Sequence, residues 1–324
     1  MGATTTTTVA HAITERSAPG FINAVWRNNR LLPLLRAIGA LSAGREPDPA
    51  SVFGLGHTWH LNTTGNTSVG SYSEGDPAPA AGNQAWAEAI LTWVYHWGFF
   101  RITGHAEDAL KDGGVFPAGF DTEQTLLAQD LADQVTNTYL GSGANGLLNA
   151  IAATGTYANI TRGSAAYFEA TVETTSEAQS VSRHKSVYRT MRDADKGGVL
   201  GLNITTPTQA DTYTSIIGSL TTVNYPQTIA MLQSRMGAGA FDVGVIVNGN
   251  SLHNAPIVEM PDLTAGTWLY LDIRDVAGWF HDIIRPYRTE WHSNEGDSKK
   301  YMTTIGSCLG LENPKLCAKK TNLT

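Results

Sequence analysis

The 324-residue sequence is poor in cysteine, in long apolar runs and, over a wide stretch, in positive charge. Its two cysteines, Cys308 and Cys317, lie near the C-terminal end. No second Cys or His pair stands at metal-ligand spacing beside them, which argues against a zinc site. The first residues, MGATTTTTVAHAITERS, lack the basic and apolar regions of a secretory leader, so the two thiols read as reduced. MGATTT matches a myristoylation pattern too short to carry weight. The longest apolar run, AILTWVYHWGFF from Ala89 to Phe100, falls short of the roughly 20 residues a spanning helix needs. No membrane partner is expected. The run's β-branched and aromatic residues suit a strand buried on both faces, or one lying at an interface.

Positive charge is missing in one block: no lysine or arginine occurs between Arg45 and Arg101. The net charge is −7, and no basic stripe is visible along the chain, which argues against a protein that grips nucleic acid directly. Lys299-Lys300 and Lys319-Lys320 read as solvated surface.

What is present is a chain with 42% hydrophobic residues and 33 glycines, able to bury a substantial core and rich in turns and strands. Its length allows two domains, or one with large excursions. Residues 1–20 form a polar, Thr-rich arm. Phe21 to Gly44 follows with helical spacing broken at Pro33. VFGLGHTWHL then reads as one leg of an extended hairpin, and AWAEAILTWVYHW as the returning leg, with a short helix after it at HAEDALKDG. Between the legs lies NTTGNTSVGSYSEGDPAPAAGNQ, Asn62 to Gln84, which has almost nothing to place in a core and is far longer than the usual loop of about six residues. An exposed ribbon of this kind invites pairing with other chains.

The clearest helix is FDTEQTLLAQDLADQVTNTYLG. Leu127, Leu131, Val135 and Tyr139 recur every four residues as one apolar stripe, Asp121 is placed to cap the start with Gln124 three residues on, and Gly141 to end the helix in a left-handed conformation. A second long helix is predicted from Ser176 to Ala194, ended by Gly197-Gly198, then a buried strand at VLGLNITTP and a helix starting at Pro207. FDVGVIVNG reads as a strand, and the last third as short strands and turns.

No motif carries chemistry. Gly141-Ser142-Gly143-Ala144-Asn145-Gly146 matches a dinucleotide fingerprint, but it follows a helix instead of a strand, so a helix stop is the better reading. His57 and His60 stand three apart on a strand and so face opposite sides, and the remaining histidines are scattered. Ser71-Tyr72-Ser73-Glu74-Gly75 lacks one glycine of a nucleophile elbow. No catalytic residue, metal or cofactor is expected.

The order of elements resembles the major capsid proteins of tailed, double-stranded DNA bacteriophages, with the Hong Kong 97-type shell fold. GHTWHLNTTGNTSVGSYSEGDPAPAAGNQAWAEAILTW resembles their extended loop, and FDTEQTLLAQDLADQVTNTYLGSGANGLLNAI their spine helix with its Gly-rich exit. NAPIVEMPDLTAGTWLYLD and SCLGLENPKLCAKKTNLT resemble two further passages common to them. The resemblance implies an α+β fold: an N-terminal arm with short helices (1–55), an extended β-hairpin loop (56–92), a peripheral domain (93–145 and 282–324) and an axial domain (146–281). It implies self-assembly into hexamers and pentamers of an icosahedral shell in the virion, enclosing DNA without reading it.

On this resemblance Thr63, Asn66, Val69, Tyr72, Glu74 and Asp76 of the loop would touch a neighbour, with Arg285, Arg288 and Glu290 of the peripheral domain as the receiving side. Glu74 and Asp76 would pair with Arg285 or Arg288. The loop has no lysine, so the covalent cross-link known in the family is not expected. The chain starts at the arm, so a separate scaffolding protein is expected, with a portal and possible cement proteins as further partners. The competing readings are a tail or decoration protein, and a nucleotide-binding enzyme built on the glycine loop.

Overall fold

The computed structural model describes residues 31, 56–66, 68–71, 82–105, 119–163, 165–193, 196–218, 247–252, 255–274, 277, 279–292 and 298–324. The expectations for the Thr-rich arm, for the loop tip with Tyr72, Glu74 and Asp76, and for most of HAEDALKDG lie outside the described residues. Of the predicted helix at Phe21–Gly44 only Leu31 is described; it is helical and fully buried.

Strands β1 (Gly56–Thr64) and β2 (Ala85–Thr92) pair antiparallel as a two-stranded ribbon. The chain then enters β3 (Val94–Thr103), an edge strand of a three-stranded antiparallel sheet completed by β11 (Trp279–His292) and β12 (Ser298–Leu311). Helix α1 (Gly119–Leu140) packs across β3. Its stripe residues Leu127, Leu131, Val135 and Tyr139 are all buried, as the fourfold spacing predicts. The fit is close: a Cβ at Gly98 of β3 would meet Leu127 Cδ1 at 2.4 Å, so a side chain there would push the Leu127 methyl aside.

A single turn, α2 (Leu147–Ala150), and a small hairpin, β4 (Thr156–Tyr157) with β5 (Ile160–Thr161), lead to a second sheet. This sheet has six strands: β6 (Thr171–Glu173), β7 (Leu202–Thr205), β8 (Val247–Leu252), β9 (Ala255–Glu259), β10 (Trp268–Leu271) and β13 (Ala318–Lys320), in the order β6-β13-β10-β7-β9-β8. Every residue of β7 and β10 is buried; β10 is apolar throughout, and the polar Asn203 and Thr205 of β7 are hydrogen-bonded to Ala255, Pro256 and Thr267 carbonyls. Helices α3 (Val181–Arg192) and α4 (Pro207–Gly218) lie against it, the latter starting at Pro207 as predicted.

Several expectations are corrected. Helix α1 begins at Gly119, so Asp121 stands inside the first turn instead of capping it. It ends at Leu140, but Gly141 is absent from the left-handed glycines, which are Gly155, Gly163, Gly197 and Gly266 among the described residues. The glycine that the exit requires is Gly146, where a Cβ would sit 2.0 Å from the Gly141 carbonyl oxygen.

Helix α3 starts five residues later than Ser176 and ends at Arg192. The reason is tertiary: β6 pairs with β13, and Glu177 bridges to Leu323, so this stretch is held extended by the chain's far end. β11 and β12 each run 14 residues, far from the short strands expected. Lys320, read as solvated surface, is only 1% exposed in β13, and the Lys319 ammonium donates to the Leu148 carbonyl. The Ala89–Phe100 run is two strands, and neither is buried on both faces.

Candidate subunit interface

The ribbon is anchored at its foot and bare beyond it. Odd-numbered residues share one face: His57 pairs with Leu91, Trp59 with Ala89 and Leu61 with Ala87. Trp59, Ala89 and Leu91 are buried against the body. Specific hydrogen bonds tie down the foot. The Trp59 indole N–H donates to the Glu312 carbonyl at 3.1 Å, and the Asn145 amide donates to the Thr92 carbonyl at 2.8 Å. His57 Nε2 lies 3.2 Å from the Glu312 carboxylate. Asn145 belongs to the Gly-rich exit of α1, so that loop secures the ribbon instead of cradling a phosphate.

Past Asn62 the ribbon has no such support. A register shift between Asn62 and Thr64 marks the transition. The predicted contact residues here turn inward only for local bonds: Thr63 donates its hydroxyl to the Ala85 carbonyl, and the Asn66 side chain accepts from the Ser68 N–H in an Asx turn. Val69 is 83% exposed and Trp86 62% exposed among the described residues. Of the receiving side, Arg285, Arg288 and Glu290 lie on β11, Arg285 within the register irregularity between Ile284 and Tyr287. Arg288 is opposite Thr303 and Glu290 opposite Tyr301.

Of the two readings of the Ala89–Phe100 run, a strand buried on both faces or one lying at an interface, β3 fits the second, and the residues that form the surface were not singled out. The even residues of β3, His96, Gly98, Phe100 and Ile102, face α1. Its odd residues, Tyr95, Trp97 and Phe99, form an aromatic strip on the opposite face of an edge strand, and Trp97 is 60% exposed. The rings of Trp97 and Phe99 stack in parallel, with centroids 5.7 Å apart. Strict alternation in VYHWGFF was the available signal; uniform apolarity concealed it. Among the described residues β3 is an edge strand, and a contiguous aromatic face there is the mark of an interaction surface.

The buried polar groups are used structurally. His184 lies fully buried among Tyr213, Trp268 and Tyr270, with Nδ1 2.6 Å from the Tyr270 hydroxyl. Arg162, its pKa lowered to about 10 by burial, donates to the Ala150 carbonyl at 2.7 Å and lies over the Tyr157 ring. Cys308 and Cys317 are free, buried thiols. Among the described residues no three His, Cys, Asp or Glu side chains gather as a metal site, and no helix is long and apolar enough to cross a membrane.

No family model and no curated protein matches the chain. Solved structures do. The capsid asymmetric unit of cyanophage A-1(L) superposes with a TM-score of 0.66 at 14% identity, covering 96% of this chain and 97% of that one. The capsid of a native GTA particle does so with a TM-score of 0.59 at 10% identity, covering 96% and 95%. The holo-SrpI encapsulin complex from Synechococcus elongatus PCC 7942 follows at 0.55 and 10%, covering 97% and 95%. Ribbon, spine helix and two sheets follow one another here as they do over nearly the full length of those shell proteins: the chain has the Hong Kong 97-type shell fold.

Proposed function

We propose that this protein is a structural subunit of an icosahedral virion shell, a major capsid protein that assembles into hexamers and pentamers around double-stranded DNA and has no enzymatic role. The observation that carries the reading is a pair of unfinished surfaces on a shell fold. Among the described residues, Val69 and Trp86 of the ribbon and Tyr95, Trp97 and Phe99 of the strip are large apolar side chains left exposed. Neighbouring copies of the chain supply what is missing, in heterologous contacts that close into rings. The ribbon lies over the next subunit, with Thr63, Asn66, Val69, Tyr72, Glu74 and Asp76 toward it and Arg285, Arg288 and Glu290 among the residues that receive it.

The domain division follows the sheets. The ribbon is the extended loop, α1 with the three-stranded sheet is the peripheral domain, and the six-stranded sheet with α3 and α4 is the axial domain. The pairing of β13 with β6 and β10 supports counting Ala318–Lys320 with the axial domain in this reading. Scaffolding and portal proteins are the further partners this reading calls for.

Light scattering coupled to size exclusion, followed by electron microscopy of the large fractions, tests the reading. Pentamers, hexamers or closed particles are expected, and a stable monomer at every salt and protein concentration refutes it. Replacing Trp97 with Ser locates the contact. Loss of an aromatic anchor at about 2 kcal/mol raises the protein concentration needed for assembly about 30-fold while the subunit melts as before.

A further inference from the structure

The acidic chain carries its cations dispersed, yet α3 (VSRHKSVYRTMR) holds Arg183, Lys185, Arg189 and Arg192 and no acidic residue. At 100° per residue the helix sends His184, Val187 and Met191 into the core. Lys185, Arg189 and Arg192 emerge on the outer side, where they line a shallow cleft with Ser182, Ser186 and Tyr188. Arg183 is paired with Glu177. Among the described residues no carboxylate pairs with the other three. The Arg192 guanidinium lies over the Tyr188 ring, 5.4 Å from its centroid, which holds it at the edge of the cleft.

Resting on the shell reading, we propose that this face of α3 binds the phosphate backbone of the enclosed duplex without reading its sequence. Every side chain lining the cleft can donate a hydrogen bond, and none is a carboxylate. Lys185 to Arg192 spans roughly 10 Å of helix. A duplex presents about six charges over that length, so three cations meet an excess of phosphates. The last-turn positions of Arg189 and Arg192 also suit the helix dipole. That does not explain Lys185, which stands mid-helix and four residues before Arg189, a like-charge spacing that weakens the helix. An acidic polypeptide is the weaker candidate, because the cleft is shallow and its single ring, Tyr188, is half-buried beneath Arg192. The basic stripe absent from the linear sequence is created by the coiling of this helix.

The test is fluorescence anisotropy of unassembled subunits with a duplex of about 20 base pairs, at salt between about 50 and 200 mM. The probe is compared on wild type and on Lys185→Gln/Arg189→Gln/Arg192→Gln. Three lost phosphate contacts lower the slope of log affinity against log salt by about 2.7, so wild type loses about 40-fold more affinity than the variant over that range. The reduction is the same for duplexes of unrelated sequence. If the triple variant fails to fold, Lys185→Gln alone lowers the slope by about 0.9. An unchanged slope overturns the proposal, as does polyglutamate that competes as well as unlabelled duplex at equal charge. Particles seen by electron microscopy with an unchanged slope refute this face alone; a lowered slope without particles refutes the shell and leaves the face standing.

Discussion

Replacing Gly146 with Ala separates a structural glycine loop from a ligand-binding one. The new Cβ would lie 2.0 Å from the Gly141 carbonyl oxygen and 2.6 Å from its carbon, inside any real contact distance, and both are backbone atoms with no rotamer to change. Overpacking of this kind costs about 1–3 kcal/mol. The displaced carbonyl is also the acceptor for the Leu148 N–H at 3.3 Å, and Gly146 itself donates to the Gly143 carbonyl at 2.9 Å. Breaking one such buried bond adds about 1–3 kcal/mol. The sum is about 2–6 kcal/mol out of a stability of about 5–15. At about 2 °C per kcal/mol for a chain of this size, the melting point falls by roughly 4–12 °C. Gly143 is the control: a Cβ there meets nothing within 4 Å, and its φ is not left-handed. Gly143→Ala therefore shifts stability by no more than about 0.5 kcal/mol. Calorimetry or urea unfolding of the two variants decides the matter. A Gly146→Ala variant that melts with wild type, or a Gly143→Ala variant as damaged as its neighbour, refutes the steric account. In a phosphate-cradling loop both glycines would be needed.

Two further outcomes follow from buried groups. Burial pushes the Cys317 thiol up to about 12 and leaves Cys308 fully covered, so a thiol reagent near pH 8 labels the native protein only as fast as it unfolds; rapid native labelling of either cysteine contradicts this. Burial lowers the pKa of His96 from its ordinary value of about 6.5, so the unfolded chain binds more protons than the folded one below that pH, and stability falls as pH drops from 6.5 toward the lowered value. His96→Gln flattens that slope in urea titrations, and an unaltered slope assigns it to another group.

Much of the fold was legible because its signals are local. Leu127, Leu131, Val135 and Tyr139 announce their helix by spacing alone, and the burial of all four agrees. The low-apolar stretch after Asn62 marked itself as a segment without a core, and Pro207 marked the start of α4. The candidate interface was legible only in outline. Tyr95, Trp97 and Phe99 were visible as apolar residues, but which face of β3 meets α1 depends on a helix that starts sixteen residues after the strand ends.

What the sequence determined by itself is therefore the set of elements whose reasons lie within a few residues: the spine helix, the ribbon, the buried strands β7 and β10, and their order. Only the tertiary structure decided the rest. Lys320 is buried and α3 begins at Val181 because the chain's last residues run beside β6 and reach Glu177, contacts separated by well over a hundred positions. Gly146 is indispensable because the chain turns back onto Gly141. The basic face exists because one side of α3 is consumed by the core, leaving Lys185, Arg189 and Arg192 together on the other. Local periodicity specifies which way side chains alternate; only long-range packing specifies which of those sides meets water.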